Sequence, residues 1–476
     1  MYILVNHKLL NHNLLNTMNF IAREEETLAI QNLLKKKGYQ GGIVYGRRRT
    51  GKTELIKHCL ENEDVPYIIF QCKESNDRDN TKSLTELIRK AIGQATVSFE
   101  NFVDAVEALF EYAADRPFCL VLDEYPYLRT FIEGCDSKFQ EIIDKYAMKT
   151  QMKFFLLGSS ISIMEGILEH DNPLYMRFHL SILLKQMDYY DSSKFYPSFS
   201  NEDKIKLYSV FGGIPFYNAQ IDETISVKEN IIRILSGRFT GLKEYIETHL
   251  AEELRKINNA NVVFETIALG TFHFSDILSK THVESSAALA NILQKLMKMD
   301  LIEYVSPIND SKNKQKGGYR IADACVHFYY YFIYRNESMH RLLKDGVFYD
   351  QYISDKLNSI FVPKTFETVC KEYLIRKNSN GMLKPMLEDI GTFWYDNPKE
   401  RKNGQFDVVG KCEEGYVFFE CKYTNSLLDD SVIKEEISQV SETSLKPIQY
   451  GFFSKNGFQL KQKYPYLFFT LDDLYK

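Results

Sequence analysis

Cysteine and tryptophan are sparse in this chain: eight and one, respectively, among 476 residues. The cysteines (Cys59, Cys72, Cys119, Cys135, Cys325, Cys370, Cys412 and Cys421) are scattered, and no two form a C-x-x-C pair. That spacing argues against a zinc site and a disulfide framework and fits a reducing cytoplasm. No apolar run reaches the length a membrane helix requires, so no membrane partner is expected. Residues 1–17 lack a basic start and a small-residue cleavage site and make a poor signal peptide. Met18 is a second candidate start, because the structured pattern opens just after it. A formal charge of −5 exerts no global pull toward nucleic acid, so any such contact must come from local basic patches. There is no internal repeat or low-complexity segment.

What is present is the composition of a folded protein, 44% hydrophobic and 14% aromatic, long enough for about two to four domains. The stretch Gly46-Arg47-Arg48-Arg49-Thr50-Gly51-Lys52-Thr53 reads G-x-x-x-x-G-K-T. An apolar strand, Ile43-Val44-Tyr45, leads in, and a helical pattern leads out, which is the context a P-loop needs. Gly46 and Gly51 let the backbone wrap an anion, and the helix start points N–H groups at it. Lys52 would reach the β- and γ-phosphates of ATP, and the Thr53 hydroxyl would ligate Mg²⁺.

Downstream, Phe118 to Leu122 is a buried strand ending in Asp123-Glu124, the Walker B pattern. Asp123 would hold Mg²⁺ and Glu124 would polarise the attacking water. A further strand, residues 153–158, ends in Ser159-Ser160; Ser159 is a candidate γ-phosphate contact or a helix cap. Alternation of strands and helices implies a mostly parallel sheet covered on both faces, with the ligand at the strands' carboxyl edge.

Together with Phe20-Ile21-Ala22-Arg23-Glu24, Leu174-Tyr175-Met176-Arg177 and Phe211-Gly212-Gly213-Ile214-Pro215, these motifs resemble the archaeal-type ATPase family, a member of the STAND group of P-loop ATPases. Ala22 and Met176 depart from it, since glycine is usual at both positions. The resemblance implies a helical lid in which Pro215 feels the nucleotide. It also makes Arg177 a candidate γ-phosphate contact, in cis or from a neighbouring subunit in a self-associated form. A surface salt bridge is the alternative for Arg177.

Residues 262–269, 274–280 and 285–299 read as three helices, followed by two strands around a basic loop, a winged helix-turn-helix pattern. Lys312, Lys314, Lys316 and Arg320 would line the wing and reach phosphates. The third helix carries few base readers, so DNA binding and packing onto the ATPase both stay open. The aromatic run 328–334 reads as core or interdomain packing, not as a base-stacking platform.

In the last part, Asp407 and the pair Glu420 and Lys422, two apart on a strand, give D…E-x-K. Glu367 on a preceding helix and Gln439 on a following one complete an arrangement that resembles the PD-(D/E)xK nucleases. The resemblance makes Glu367, Asp407 and Glu420 metal ligands and Lys422 the group that orients the attacking water. Gln405 departs from it, because an acid is common there.

The expected architecture is therefore α/β: an N-terminal extension (1–17), a P-loop ATPase core with a parallel sheet (18–190), a helical lid (191–250), a winged helix (251–345) and an α/β restriction-endonuclease-like domain (355–476). The expected function is an ATP- and Mg²⁺-dependent switch controlling a nuclease-like domain on DNA. The alternative is a nucleotide-controlled scaffold that binds nucleic acid or protein without cutting.

Overall fold

The computed structural model describes residues 20–250, 254, 255, 257–309, 317–397, 402–443 and 445–476. The N-terminal extension and the wing lysines Lys312, Lys314 and Lys316 lie outside them. The chain divides into two compact units, Met1–Gln186 and Met187–Lys476.

In the first unit, strands β1 (Gln40–Tyr45), β2 (Tyr67–Gln71), β3 (Phe118–Asp123), β4 (Met152–Gly158) and β5 (Leu180–Leu183) form one sheet. Their order is β2-β3-β4-β1-β5, and every pairing is parallel. All residues of β3 and β4 are buried, as expected for strands covered on both faces. One face packs Leu120, Leu122 and Phe154 against the helices Asp77–Ile92, Phe102–Tyr112 and Cys135–Tyr146. The other packs Val121, Phe155 and Leu157 against the helices Glu24–Lys35 and Lys52–Glu61. Parallel strands all end at one edge, so Tyr45, Asp123 and Gly158 deliver the residues that follow them to the same place.

Ala22 and Met176 adopt φ values of 60° and 58°, the left-handed region that glycine enters freely. A side chain there costs about 1–2 kcal/mol, which glycine's greater unfolded-state freedom only partly offsets.

The main core of the second unit runs from Tyr189 through Phe264, Leu296 and Phe328 to Phe453 and Leu474, and two smaller clusters, around Phe418 with Val440 and around Ile433 with Phe452, pack within the C-terminal part. The expected lid, the winged helix and one face of the nuclease-like part therefore share a core. The aromatic run explains this: Phe328, Tyr329, Tyr330, Phe332 and Ile333 are buried, and Phe328 and Phe332 pack against Phe361, edge-on and tilted respectively. The helices Ala260–Ala268, Phe274–Thr281 and Ser286–Lys298 precede an antiparallel hairpin of β6 (Ile302–Val305) and β7 (Gly318–Ile321).

The C-terminal sheet comprises β8 (Asp389–Asn397), β9 (Lys402–Cys412), β10 (Gly415–Lys422), β12 (Pro447–Ser454) and β14 (Leu467–Thr470); a two-strand ladder of β11 (Leu428–Asp429) and β13 (Phe458–Gln459) stands apart. Its order is β14-β12-β10-β9-β8, antiparallel from β8 to β10 and parallel beyond. Alternate residues face opposite sides. Phe418 packs with Val440 of the helix Asp430–Ser441, whereas Val417 and Phe419 join the core that holds the helix Val362–Ser379.

Two stability effects follow. Ala22→Gly and Met176→Gly are each expected to stabilise the protein by up to about 1 kcal/mol, read as a higher urea midpoint. His327 is mostly buried, and its Nε2 lies 3.0 Å from the Ala268 carbonyl oxygen. Burial drives its pKa from 6.5 down to about 4. At this residue the unfolded chain therefore takes up a proton that the native state refuses, so the contribution of His327 to stability falls as pH drops through the window from 6.5 to 4. That contribution is expected to fall by about 2 kcal/mol between pH 7 and pH 5, read as the difference between wild type and His327→Gln in urea titrations at each pH.

Candidate functional site

Gly46 leaves β1 with φ 148°, and a Cβ there would stand 2.3 Å from the Leu184 carbonyl oxygen, so only glycine fits. Arg49 and Gly51 both turn left-handed, at φ 69° and 89°, before the helix Lys52–Glu61 begins. The loop is a cradle whose centre is taken by Lys52: its Nζ donates to the carbonyls of Gly46 (2.8 Å) and Arg47 (2.9 Å). Thr50 braces the loop by donating to Arg47 O at 2.8 Å. Arg48 donates to the Tyr127 hydroxyl at 3.2 Å. Burial pushes the Lys52 ammonium below its ordinary pKa, opposed by the charges of Glu124 and Asp123. A polyphosphate would give this buried cation an anionic partner in place of two neutral carbonyls.

Thr53 Oγ1 donates to Asp123 Oδ2 at 2.6 Å. Burial raises the Asp123 pKa, and the bond from Thr53 opposes the shift. A hydroxyl and a buried carboxylate in contact beside a phosphate cradle fit Mg²⁺, and these are the two residues that would hold it. Glu124 follows with φ 56°, a left-handed turn at a non-glycine residue of the kind that collects at functional sites. Its Oε2 accepts from the backbone N–H (3.0 Å) and the hydroxyl (2.8 Å) of Ser159. Because β4 lies between β1 and β3, Ser159 stands between the loop and the acids and fixes the direction of the Glu124 carboxylate. The cap position of the helix Ile161–Gly166 that follows falls to Ser160, whose side chain makes no capping hydrogen bond.

Arg177 is not brought to this edge within the chain. Its carbonyl accepts from the Tyr39 hydroxyl, just ahead of β1, at the opposite end of the strand from Gly46. Its guanidinium grips Asp144 in a two-pronged pair of 2.9 and 2.8 Å. The sequence motif marked the residue but could not say at which edge of the sheet it lies. Pro215 opens the short helix Pro215–Asn218 of the second unit. There Gly213 is required by close approach, since a Cβ would stand 1.8 Å from Met187 O.

The second centre lies past the end of the β9–β10 ladder, whose last pair is Phe419 with Val408. Asp407 and Glu420 come next on their strands, and Glu367 approaches from the helix Val362–Ser379. Lys422 Nζ pairs with Glu420, Lys364 pairs with Glu367 and stands 3.9 Å from Asp407, and Gln405 donates to Asp407 at 2.8 Å. Gln405 thus bonds the acid it was expected to accompany as an acid itself. Gln439 donates to the Tyr395 hydroxyl at 3.2 Å.

Among the described residues, no three of His, Cys, Asp and Glu converge as a metal-holding group. Glu367, Asp407 and Glu420, the expected metal ligands, therefore do not stand as a formed ligand set. Like charges repel, and each carboxylate has turned to a lysine or an amide. The acids nonetheless feel one another. Burial and the Asp407 charge raise Glu367 to about 7. Burial and Glu420 raise Glu436, on the helix Asp430–Ser441, to about 8. Glu436 and Lys364 were not legible as site residues, because nothing local in their segments marks them. The donor chemistry suits a divalent cation, with Asp407 and Glu420 as its holders and the other acids close by.

Five residues beyond Glu367, the same helix carries Glu372, whose carboxylate accepts from Tyr189 N–H (3.0 Å) and the Tyr208 hydroxyl (3.0 Å). Burial raises Glu372 to about 7. Arg376 pairs with Asp188 at 3.2 Å and lies 4.2 Å above the Tyr190 ring. The hairpin of the expected winged helix is joined to the edge strand β8: Ile308 N–H donates to Thr392 O at 2.9 Å, and His273 stacks edge-on with Trp394 at 4.8 Å. Among the described residues no helix is long and apolar enough to cross a membrane.

A family model described as an ATPase domain predominantly from Archaea matches residues 20–221. A second, described as Archaea bacterial proteins of unknown function, matches residues 329–439. The uncharacterized protein MJECL04 of Methanocaldococcus jannaschii is 27% identical over 377 residues, covering 79% of this chain and 82% of that protein. The Walker-type ATPase paby2304 of Pyrococcus abyssi aligns with a TM-score of 0.50 at 19% identity, covering 66% of this chain and 97% of that one. The ORC2 protein of Aeropyrum pernix aligns with a TM-score of 0.46 at 13% identity, covering 68% and 96%. The nucleotide-site geometry and the matching domain agree: the chain is an ATPase, and its parallel α/β sheet is that of a P-loop ATPase.

Lys52→Ala is expected to abolish ATP binding, measured by equilibrium titration with a fluorescent ATP analogue. Glu124→Gln is expected to bind ATP normally but release phosphate at least ~100-fold more slowly.

Proposed function

We propose that this ATPase is a signal-transduction switch of the STAND type, which controls a nuclease-like centre in its second unit acting on DNA. Mg–ATP would bind at residues Gly46 to Thr53, with Lys52 on the phosphates and Thr53 and Asp123 on the metal. Glu124, directed by Ser159, would orient the attacking water. Pro215 and the segment following β5 would relay the nucleotide state.

One observation carries the reading. The helix Val362–Ser379 bears Glu367 of the acid–lysine centre and, five and nine residues on, Glu372 and Arg376, which hold Tyr189 and Asp188. Those residues directly follow the first compact unit in the chain. A shift of that segment would thus be felt by the element that positions Glu367. A divalent cation held by Asp407 and Glu420 would supply charge stabilisation to a phosphodiester. Lys422 would orient the attacking water, and its pairing with Glu420 keeps it charged until then.

A second reading, a nucleotide-controlled scaffold that binds without cutting, is favoured by the carboxylates' pairing with lysines in place of a formed ligand set. The two separate on linear and circular DNA with Mg²⁺ or Mn²⁺, with and without ATP. The nuclease reading predicts cutting by the intact protein and its loss, by at least ~100-fold, in Lys422→Ala with ATP turnover kept. Normal ATP turnover with no cutting in any metal would leave the scaffold.

A further inference from the structure

On the helix Val362–Ser379, Lys364, Glu367 and Lys371 stand at i, i+3 and i+7 and share a face. Lys364 is accounted for by Glu367 and Asp407. Lys371 is not. Its residue is half-buried, yet among the described residues its ammonium makes no hydrogen bond or ion pair. The Nζ lies 3.7 Å from the position a Cβ on Gly391 would occupy, so it rests over β8 where that strand carries no side chain. Burial pushes its pKa down, the Arg320 cation adds to this, and Asp389, Glu372 and Glu303 oppose it from a distance. Arg320 comes from β7 and is paired with Glu303 across the hairpin. Its charge is also felt at Lys364.

A half-buried cation with no anion in contact among the described residues is costly, and such groups concentrate where a ligand supplies the charge. Here three cations from two parts of the unit flank a carboxylate centre. Seven helical residues separate Lys364 from Lys371, a rise of about 10 Å, which is the axial span of about three phosphates of one B-form strand. Glu367, Asp407, Glu303 and Asp389 lie along the same line and would repel any anion that brought no cation with it. A phosphodiester backbone, with one charge per nucleotide and a cation at the acid centre, suits the alternation of lysine, acid and lysine.

We propose that Lys371, with Arg320 and Lys364, forms a phosphate-binding strip that seats the backbone of duplex DNA beside the Glu367–Asp407–Glu420 centre. The strip rests on the reading that the second unit acts on DNA. It gives the hairpin a role in that binding through Arg320 on its strand, independent of the wing tip. Lys371 binds phosphate and takes no part in bond breaking.

The test uses the intact protein with a ~30-base-pair duplex in Ca²⁺, read by fluorescence anisotropy across a salt series. Lys371→Met keeps the apolar stem and removes the charge. It should weaken DNA binding about tenfold and lower the slope of log affinity against log salt by about 0.9. Lys371→Arg should restore both. ATP turnover and the melting temperature of Lys371→Met should not fall, since a lysine serving only structure would lower the latter. Wild-type affinity and slope in Lys371→Met overturn the strip. Tighter, equally Lys371-dependent binding of the matching RNA duplex overturns the assignment to DNA. Because binding is read without cleavage and repeated in Lys422→Ala, the two proposals fail separately. Lys371-dependent binding by a protein that never cuts sinks the nuclease reading alone, and cutting unaffected by Lys371→Met sinks the strip alone.

Discussion

The buried ammonium of Lys52 is the constraint around which the first unit is arranged. A cation taken out of water needs partners, and the loop from Gly46 to Thr53 supplies only its own carbonyls. The fold surrounds that cation with acids and donors by the simplest means a parallel sheet offers. Every strand ends at one edge, so β1 brings the loop, β3 the acids Asp123 and Glu124, and β4 the Ser159 that holds Glu124. The interposition of β4 matters chemically, because it puts a hydroxyl and a backbone N–H between the loop Gly46–Thr53 and the Glu124 carboxylate.

Charge burial also organises the second unit. Glu372 is enclosed by Tyr189 and Tyr208, and its hydrogen bonds join the first residues of the second unit to the helix that carries Glu367. Removing either tyrosine's donor would leave a buried carboxylate short of partners, which makes this junction stiff. A stiff junction transmits displacement, which is what a switch requires. The shared core from Tyr189 to Leu474 has the same consequence, since parts that share side-chain packing do not move independently.

The sequence was most legible where chemistry dictates spacing. The phosphate loop, the acids after β3, and the D…E-x-K residues all fell on the expected element types, because each motif is tied to a strand end or a strand's two-residue period. The glycine departures were legible too: Ala22 and Met176 do take the left-handed backbone that glycine would take. Legibility ended where partners come from distant segments. Arg177 looked suited to a phosphate, but which edge of the sheet it occupies depends on chain topology. Glu436, Lys364 and Lys371 carry no local signature, and their roles exist only once two helices and three strands meet. The core shared across the second unit was hidden for the same reason, since an aromatic run announces burial without naming what it packs against.

The central claim is that nucleotide state reaches the helix Val362–Ser379. Hydrogen–deuterium exchange of the intact protein, compared with ATP, with ADP and without nucleotide, measures this directly. The account predicts that exchange in residues 362–379 and 187–191 differs between ATP and ADP, and that Lys52→Ala removes the difference. A nucleotide response confined to residues 20–186 would contradict it.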